Sequence, residues 1–371
     1  MSFLLLAILL ISFSTSTSTT EDWVSLRVGT WNVMQQPWLT QWTTDVINNL
    51  GNTNLDVLVL QEVWTERVRN TIITNKEVSK DFSFFYSSAP FQKQVGCNFS
   101  DTLLLQYAQM FVGCLMQTGT NLTQIIQPYD GPINPLCNLA GIQVALYNGN
   151  PNNFECLSCL INSMQKSIDP FTTCATQSGD AYSYNGTNGI LIMSKFKIRN
   201  VTETRFNSWI ANRVNIHFTV KGIKFSAGHF AYNVLEDVNP LYAGFMFGDT
   251  QPQQSNDMLN KSSDVVIGDL NSGIGAVGIP EYQPRGYNLL VSGGYVSTLA
   301  NVTATYCSNP LFRMCRDGNG GAYPGQAIDH ILVKNNTKLR FSSSETFNSQ
   351  PLMSDHIGVR AVVAKLTDDR D

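Results

Sequence analysis

Charged side chains are scarce in this chain of 371 residues, because Asp, Glu, Lys and Arg together make up 14%, against about 25% in an average protein. There is also no basic excess, since the formal net charge is −4. Tight nonspecific binding of nucleic acid depends on Lys and Arg side chains that neutralise phosphates, so this balance disfavours that function. Neutral polar groups or sugars must keep the surface soluble.

The sequence contains no hydrophobic run long enough to cross a bilayer. Its most apolar segment, residues 3–11, is followed by Ser and Thr up to Thr20, whereas a transmembrane helix needs about 20 apolar residues. A short apolar run before small residues is typical of a secretory signal peptide, which we predict over residues 1–18. The polar residues 365–371 argue against a glycolipid anchor. We therefore expect a secreted, extracellular protein.

Cysteines and glycosylation sequons support export. The eight cysteines are an even number, and in an oxidising compartment we expect them to pair, although 105 pairings are possible for eight. The seven Asn-x-Ser/Thr sequons begin at Asn98, Asn121, Asn185, Asn200, Asn260, Asn301 and Asn335. Both features are typical of a secreted glycoprotein.

Six of the cysteines lie in one segment, which we predict to be a disulfide-rich, largely helical insertion over residues 93–180. Apolar residues recur at helical spacing in residues 104–115 and again in residues 154–164. The stretch between them, residues 128–153, is rich in Pro, Gly and Asn and is predicted to be a loop.

Outside the insertion, short apolar runs alternate with helical patterns, which indicates an α/β sandwich. Residues 55–60 form a nearly continuous apolar run of the kind that is buried on both faces of a sheet. A helix is expected over residues 40–50, and another is expected to end near Leu259. We expect strands at residues 23–33, 55–60, 189–194, 213–220, 223–229, 264–268, 327–334 and 357–364.

Polar side chains with metal-binding or catalytic chemistry recur at the ends of these predicted strands. Asp269 and Asn271 are two residues apart, so an extended backbone would direct both to one side. There they could bind a divalent cation or a phosphoryl group, but an Asx turn is an equally simple interpretation. Glu62 follows a buried run, where a carboxylate needs compensation such as a metal ion. It could also be an exposed residue before the next helix.

The chain has four histidines. His217 alternates with apolar neighbours and is predicted to be structural. Alternation puts Asp329 and His330 on opposite faces of a strand, so Asp329 is the better candidate, as a carboxylate that orients an imidazole from another strand. His229 and His356 lie at a strand end and a strand start, where sites collect.

These polar segments, taken together and in their order along the chain, resemble the endonuclease/exonuclease/phosphatase (DNase I-like) superfamily. The resemblance rests on Thr30-Trp31-Asn32, Leu60-Gln61-Glu62-Val63, Asn188 to Phe196, Gly228-His229, Ile267 to Asn271, Ile328-Asp329-His330 and Ser354-Asp355-His356. It implies a four-layer α/β/β/α sandwich that forms the catalytic domain over residues 21–92 and 185–366. It also implies hydrolysis of a phosphoester with Mg²⁺, with Mn²⁺ or Ca²⁺ as alternatives.

The resemblance further implies roles for particular residues. The predicted metal-site residues are Glu62 as ligand, with Asn32 and Asp355 nearby. The predicted catalytic residues are His229, Asp269, Asn271, Asp329 and His356. Asp269 and Asn271 would position water and phosphate, and the two histidines would act as acid, base or charge stabilisers. The sequence does not divide these roles between the histidines.

The substrate is less well defined by the resemblance. Gln61 to Trp64 resembles the neutral sphingomyelinase branch, so we expect a phospholipid such as sphingomyelin in a membrane surface, without an obligate protein partner. Residues 209–210 and 241–247 are aromatic and apolar and could contact a bilayer or pack inside the protein. The alternatives are a secreted DNase I-like endonuclease and a glycoprotein that binds without catalysis. A nuclease would need a basic strip, which Lys195, Lys197, Arg199, Arg205 and Arg213 could supply.

Overall fold

The computed structural model describes residues 22–35, 43–51, 53–117, 135–150, 152–166, 168–206, 208, 211–231, 250–276, 278–299, 303–308, 315, 324–347 and 353–367. The predicted signal peptide and the apolar segments at residues 209–210 and 241–247 lie outside these ranges. Within them, no helix is both long enough and apolar enough to cross a membrane.

The strands form two large sheets and one small one. In chain order the strands are β1 Trp23–Gln35, β2 Val57–Val63, β3 Phe84–Tyr86, β4 Gln94–Val95, β5 Gly179–Asp180, β6 Leu191–Ser194, β7 Arg199–Phe206, β8 Arg213–Val220, β9 Ile223–His229, β10 Val265–Asp269, β11 Tyr295–Ser297, β12 Asp329–Lys334, β13 Leu339–Phe341, β14 Glu345–Phe347 and β15 Gly358–Leu366. The first large sheet has the order β13-β15-β1-β2-β6-β3, and β14 also pairs with β15. The second has the order β11-β12-β10-β9-β8-β7, and β4 pairs with β5 alone.

The α-helices of the described residues fall into three groups. In chain order they are α1 Thr43–Leu50, α2 Glu66–Thr74, α3 Lys76–Asp81, α4 Thr102–Gln117, α5 Pro135–Leu146, α6 Asn152–Gln165, α7 Pro170–Ala175, α8 Thr250–Asn260 and α9 Arg285–Ser292. Short 3-10 turns follow at Tyr147–Gly149 and Tyr184–Gly186. Helices α1 to α3 accompany the first sheet, α4 to α7 belong to the insertion, and α8 and α9 accompany the second sheet.

Strand alternation explains the layers. On β2, Val57 and Val59 join the buried cluster between the two sheets, while Leu58 and Leu60 join a second cluster with residues of α1 to α3. On the second sheet, a third cluster joins strand residues such as Val266 to α8 and α9. Because each sheet is buried on both faces, the predicted four-layer α/β/β/α sandwich is confirmed.

Local patterns predicted several strands closely. Strands β8 and β9 have the predicted bounds, and β10 differs from its prediction by one residue at each end. The helix before Leu259 is also present, as α8. Strand β7 was not predicted, because its mixture of exposed and half-buried residues gives no clear apolar alternation.

The prediction of a loop over residues 128–153 is wrong, because α5 lies within that range. The helix begins at Pro135, and proline is tolerated in the first turn, where its missing N–H is not needed. Gly141 allows close packing, since a Cβ there would lie 3.0 Å from the ring of Phe111 in α4. The sequence pattern did not reveal this helix because contacts with α4 stabilise it.

The insertion has a hydrophobic cluster of its own, formed by residues of β4 and of α4 to α6 together with neighbouring residues. Three disulfides lie inside it: Cys97–Cys156, Cys114–Cys137 and Cys159–Cys174. The fourth, Cys307–Cys315, closes a late loop. All eight cysteines are therefore paired, as the composition predicted. The boundaries of the insertion as a domain stay a prediction.

A charged contact fixes the entry to β2. Asp56 accepts hydrogen bonds from the backbone N, Nε and Nη2 of Arg27 at 2.8, 3.1 and 3.0 Å. Burial alone raises the pKa of Asp56, but the bonds and charge of Arg27, with the charge of Lys195, outweigh it and lower the pKa. Asp56 therefore stabilises the fold in its ionised form.

We predict that Asp56→Asn lowers the free energy of unfolding at pH 7 by about 1–3 kcal/mol, as expected for a lost charged hydrogen bond. Since folding lowers this pKa, the contribution of Asp56 is complete above the unfolded-state value of about 4 and is lost as the pH falls through the lower folded-state value. The difference between the two proteins in urea denaturation should therefore shrink in acid. A constant difference down to pH 2 would contradict this.

Candidate active site

The predicted polar residues converge where strand ends of the two sheets meet. On the second sheet, Asp269 is the register partner of both His229 and Asp329. Asn32 reaches across from the first sheet, and its Nδ2 donates to Asp269 Oδ2 at 3.0 Å and to Glu62 Oε1 at 3.2 Å. The bond to Asp269 therefore links the two sheets, while the bond to Glu62 joins adjacent strands of the first sheet.

Alternation explains the direction of most of these side chains. Asp329 has the same parity as Ile331 and Val333, which lie between the sheets. His330 has the parity of Leu332, which faces the outer helices. Its Nε2 lies 3.0 Å from the carbonyl of Ser272. His330 is therefore directed away from Asp329, as predicted.

Glu62 departs from this alternation. It has the parity of Leu58 and Leu60, which face the helices, yet its carboxylate lies beside Asn32. The backbone at Glu62 has φ of 60°, in the left-handed region that is unusual for a residue other than glycine. This conformation accompanies the turn of the side chain toward the strand ends. The indole Nε1 of Trp64 donates to Glu62 Oε2 at 3.3 Å and fixes the carboxylate further.

His356 and Asp329 form the shortest contact of the group. The two lie 2.7 Å apart between Nδ1 and Oδ2, and Thr305 Oγ1 accepts a bond from the backbone N of Asp329. His356 Nε2 lies 3.9 Å from both Asp269 and Asp355. Burial by itself lowers the pKa of His356, but attraction by these three carboxylates raises it to about 10. His356 is therefore stabilised as an imidazolium.

His229 has the opposite electrostatic environment. Its Nε2 lies 3.5 Å from Asp269 Oδ2 and 4.0 Å from Glu62 Oε1. Burial, followed by repulsion from Arg213 and His356, holds its pKa well below the usual value. The two histidines are thus distinguished by their surroundings: one is held neutral and the other charged.

Two further carboxyl groups are destabilised as anions. Burial, followed by repulsion from Asp329, raises the pKa of Asp269 to about 7. Burial raises the pKa of Asp355 to about 6. Attraction by His356 lowers this pKa, and repulsion from Glu62 raises it further. Neighbouring carboxylates that cannot all ionise without a cation are typical of metal sites.

These residues fit a divalent cation. One ligand atom from each of Asp269, Asp329 and His356 lies within 4.8 Å of the others, and Asp329 Oδ1 is buried without a hydrogen-bond partner among the described residues. The predicted metal-site carboxylates Glu62 and Asp355 are near enough for their charges to repel each other, and the Glu62 side chain is 16% exposed. Their role as ligands stays a prediction.

The amide of the predicted metal-site residue Asn32 directs its nitrogen, and not its oxygen, toward the carboxylates. Its Oδ1 accepts a bond from the backbone N of Met34, while its nitrogen faces the carboxylates. In this orientation Asn32 holds Glu62 in position, and ligation by its oxygen stays a prediction. Asn271 is similarly occupied: its Nδ2 donates to the carbonyl of Phe230, and its backbone N donates to Asp269 Oδ1.

Two aromatic residues near the site, Tyr184 and Tyr306, were not predicted, whereas Arg213 was named only as part of a possible basic strip. The ring of Tyr184 stacks on Trp64 with centroids 4.6 Å apart, and Tyr306 packs on His356 at 5.0 Å. Arg213 is partly buried next to Glu62, Asp269 and Tyr184, and its removal from water lowers its pKa. The position of Arg213 directly before an apolar alternation was visible in the sequence, but its burial was not.

Two glutamines of α8 hold the loops that carry the site. Gln251 Nε2 donates to the carbonyls of Ala231 and Asn271, both at 2.8 Å. Gln254 accepts from the backbone N of Ala231 at 2.9 Å. These buried side chains therefore satisfy backbone groups of Ala231 and Asn271, which follow the ends of β9 and β10 and have left the sheet. Nothing in the local sequence distinguished them from exposed helix residues.

His217 lies outside the cluster, as predicted. Its two ring nitrogens lie 2.7 Å from Ser226 Oγ and 2.8 Å from Asp257 Oδ2. The three residue types are those of a nucleophilic triad, but Ser226 is fully buried and bonds Ser263 through its hydroxyl. The arrangement therefore joins β8 and β9 to α8.

The stacked sheets and the acidic and imidazole groups at their strand ends define a hydrolase of phosphoester bonds. The sequence profile of the Endonuclease/Exonuclease/phosphatase family matches residues 29–356. The chain belongs to this family, whose enzymes depend on divalent cations. None of the curated proteins compared with the chain matches it significantly.

Several solved structures are similar to the chain at low sequence identity. A beta toxin from Staphylococcus aureus superposes with a TM-score of 0.50 and 12% identity, over 91% of this chain and 99% of the other. Sphingomyelinase C from Streptomyces griseocarneus gives 0.46 and 12%, over 91% and 99%. A 3'-5' exonuclease from Neisseria meningitidis gives 0.44 and 14%, over 90% and 98%.

We predict that Asp329→Asn lowers kcat by about 10²–10⁴-fold, because the amide cannot stabilise the imidazolium of His356. The rate should be measured with a soluble phosphodiester at a saturating concentration of divalent cation. Asp56→Asn is the matched control, since it makes the same change at a buried carboxylate of the fold. The control should unfold more easily but keep its kcat, and equal losses of kcat would refute the role of Asp329.

We also predict that Mg²⁺ raises the Tm of the protein by about 5 °C at a hundredfold excess over its Kd, because it binds the folded state alone. Glu62→Gln should lose most of this shift, while Glu66→Gln, at an exposed position of α2, should retain it. Differential scanning fluorimetry over a MgCl₂ titration measures both. Equal shifts in the two variants would place the cation elsewhere.

Proposed function

We propose that the protein is a secreted, Mg²⁺-dependent phosphodiesterase that hydrolyses a phospholipid such as sphingomyelin. The observation that carries the hydrolytic part is the contact between His356 and Asp329, with Asp269 and His229 on the neighbouring strands. It provides one charged and one neutral imidazole, whose Nε2 atoms lie 3.9 and 3.5 Å from the Asp269 carboxylate. These are the groups that attack by water on a phosphodiester requires.

The proposed roles follow from the two electrostatic environments. His356, held as an imidazolium by Asp329, donates hydrogen bonds to the phosphoryl oxygens and stabilises the charge that develops there. His229, held neutral, donates a hydrogen bond from one ring nitrogen. Asp269 accepts a proton from the attacking water, and a raised pKa near neutrality suits a general base. Asn271 keeps Asp269 in place through its backbone N.

The proposed cation is held by Glu62 and Asp355, with Asn32 supporting Glu62. A cation held there would supply positive charge to the phosphoryl group and to the leaving oxygen. Glu62 is well prepared for this role, because Trp64 and Asn32 each donate to one of its oxygens. Mg²⁺ is proposed over softer metals because the available ligands are oxygens.

The environment of the basic residues that could have formed a nucleic-acid strip supports a lipid substrate over a nucleic acid. Lys195 pairs with Asp56 at 3.5 Å and Arg205 pairs with Glu203 at 3.0 Å, while Arg213 is partly buried and interacts with the charge of Glu62. Three of the five cations that a nuclease would need thus already face carboxylates. Phosphate neutralisation along a duplex would require them to be available to solvent.

Secretion is supported by the pairing of the cysteines. Four disulfides account for all eight of them. Structural disulfides persist in oxidising compartments and are rare in the cytosol. The proposed site of action is therefore an extracellular lipid surface.

A side-by-side turnover assay tests the substrate. With Mg²⁺, we expect purified protein to release phosphorylated headgroup from sphingomyelin liposomes at least about tenfold faster than it nicks plasmid DNA on a molar basis. Headgroup release is measured by phosphate-specific detection after phosphatase treatment, and nicking by gel.

The Asp269→Ala variant is the control and should be inactive on both substrates. DNA cleavage without lipid turnover would replace the lipid with a nucleic acid as substrate. Complete inactivity of the wild type with Mg²⁺, Mn²⁺ and Ca²⁺ on both substrates would favour a binding glycoprotein.

A further inference from the structure

Charged residues are almost missing from part of the insertion. Residues 102–154 contain Asp130 and no other Asp, Glu, Lys or Arg. A stretch of this length at the average of the chain, 14%, would carry about seven. Helices α4 and α5 therefore have no charged side chain at all, although surface helices normally carry charge on the side that faces water.

The outer side of these helices nevertheless bears large apolar side chains. Helix α4 buries one face in the cluster of the insertion, through Leu104, Ala108, Phe111, Val112 and Leu115. Away from that face, Leu103 and Met110 are 42% and 56% exposed, Met116 in the last turn of α4 is 69% exposed, and Leu139 of α5 is 53% exposed. We call these four residues the neutral surface.

The residues between them do not add charge. Leu103 and Met110 are seven residues apart, which is two turns, so both lie on one side of α4. Gln106, Gln109 and Gln117 are exposed on the same helix. Flexible methionine side chains and leucines mixed with neutral amides can enter an interface that is partly apolar and partly hydrated.

The lack of charge on the neutral surface distinguishes among the binding partners that it could have. Nucleic acids, acidic peptides and anionic bilayers are bound through Lys and Arg, which the neutral surface does not have. Association must then come from burial of apolar side chains without electrostatic attraction. A bilayer of zwitterionic phospholipid, whose surface has no net charge, matches such a face.

The insertion joins the sandwich beside the candidate site. Phe91 donates its backbone N to the carbonyl of Gly186 at 3.0 Å. Two residues earlier, Tyr184 stacks on Trp64, whose indole donates to Glu62. The chain segments that flank the insertion are therefore in contact with the residues that hold the proposed metal ligand.

We propose that the neutral surface docks the protein on a bilayer of zwitterionic choline phospholipids. The inference rests on the proposed phospholipid phosphodiesterase function and names where the enzyme meets its substrate surface. Docking and turnover are separate properties, so each can be measured without the other.

Vesicle binding tests the proposal. Equimolar phosphatidylcholine and sphingomyelin vesicles should bind the wild type in a co-sedimentation assay with EDTA, which suppresses turnover. Met110→Glu should raise the vesicle Kd at least about tenfold, since it places a charge where an apolar side chain would be buried against the bilayer. Gln106→Leu should lower the Kd, which gives a second variant whose effect does not depend on loss of folding.

Phe341→Glu is the matched control, because Phe341 is similarly exposed, at 41%, but lies on β13. It should bind vesicles as the wild type does. Turnover of a soluble phosphodiester should be unchanged in Met110→Glu, while turnover of vesicle sphingomyelin falls.

Several results would overturn the proposal. These are wild-type affinity in Met110→Glu, binding that requires added phosphatidylserine, or a wild-type dimer in ultracentrifugation that Met110→Glu dissociates. A fall in Tm of Met110→Glu as large as that of Phe111→Glu would mean that the chain itself covers the surface.

The docking surface and the proposed function fail in different ways. Vesicle binding without any lipid turnover would refute the lipid substrate and leave the docking surface standing. Turnover of sphingomyelin in detergent micelles without vesicle binding would refute the docking surface and leave the lipid substrate standing.

Discussion

Repulsion among buried carboxylates is the constraint on which the site depends. Asp269 and Asp329 are register neighbours on adjacent strands, and both are almost inaccessible to water. Such a pair is stable only with compensating positive charge. His356 supplies one such charge, and a divalent cation beside Glu62 and Asp355 would supply more. The contact between the two sheets is therefore polar at this end, although it is hydrophobic elsewhere.

The sequence predicted the strand ends well because alternation is a local property. Asp269, Asp329 and His229 lie on the inner side of the second sheet because residues two positions before or after them are apolar. Glu62 could not be placed in this way, since its left-handed backbone reverses the side that alternation assigns. The burial of Arg213 depends on residues far away in the chain. Helix α5 likewise depends on its packing against Phe111.

The histidines show why residue types alone do not define a site. His217, Ser226 and Asp257 have the geometry of a triad but are enclosed between a sheet and α8. His356 is also buried, yet its second nitrogen faces further carboxylates. The difference lies in what surrounds each imidazole, and this is decided by the tertiary packing. Order along the chain was informative because it reflects the same packing.

The pairing of β4 with β5 has a consequence for the history of the molecule. Val95 and Gly179 are register partners, so the chain enters and leaves the insertion at neighbouring points. A segment whose two ends meet can be gained, lost or exchanged with little disturbance to the host domain. A short turn between these two positions would therefore close the host chain without the insertion.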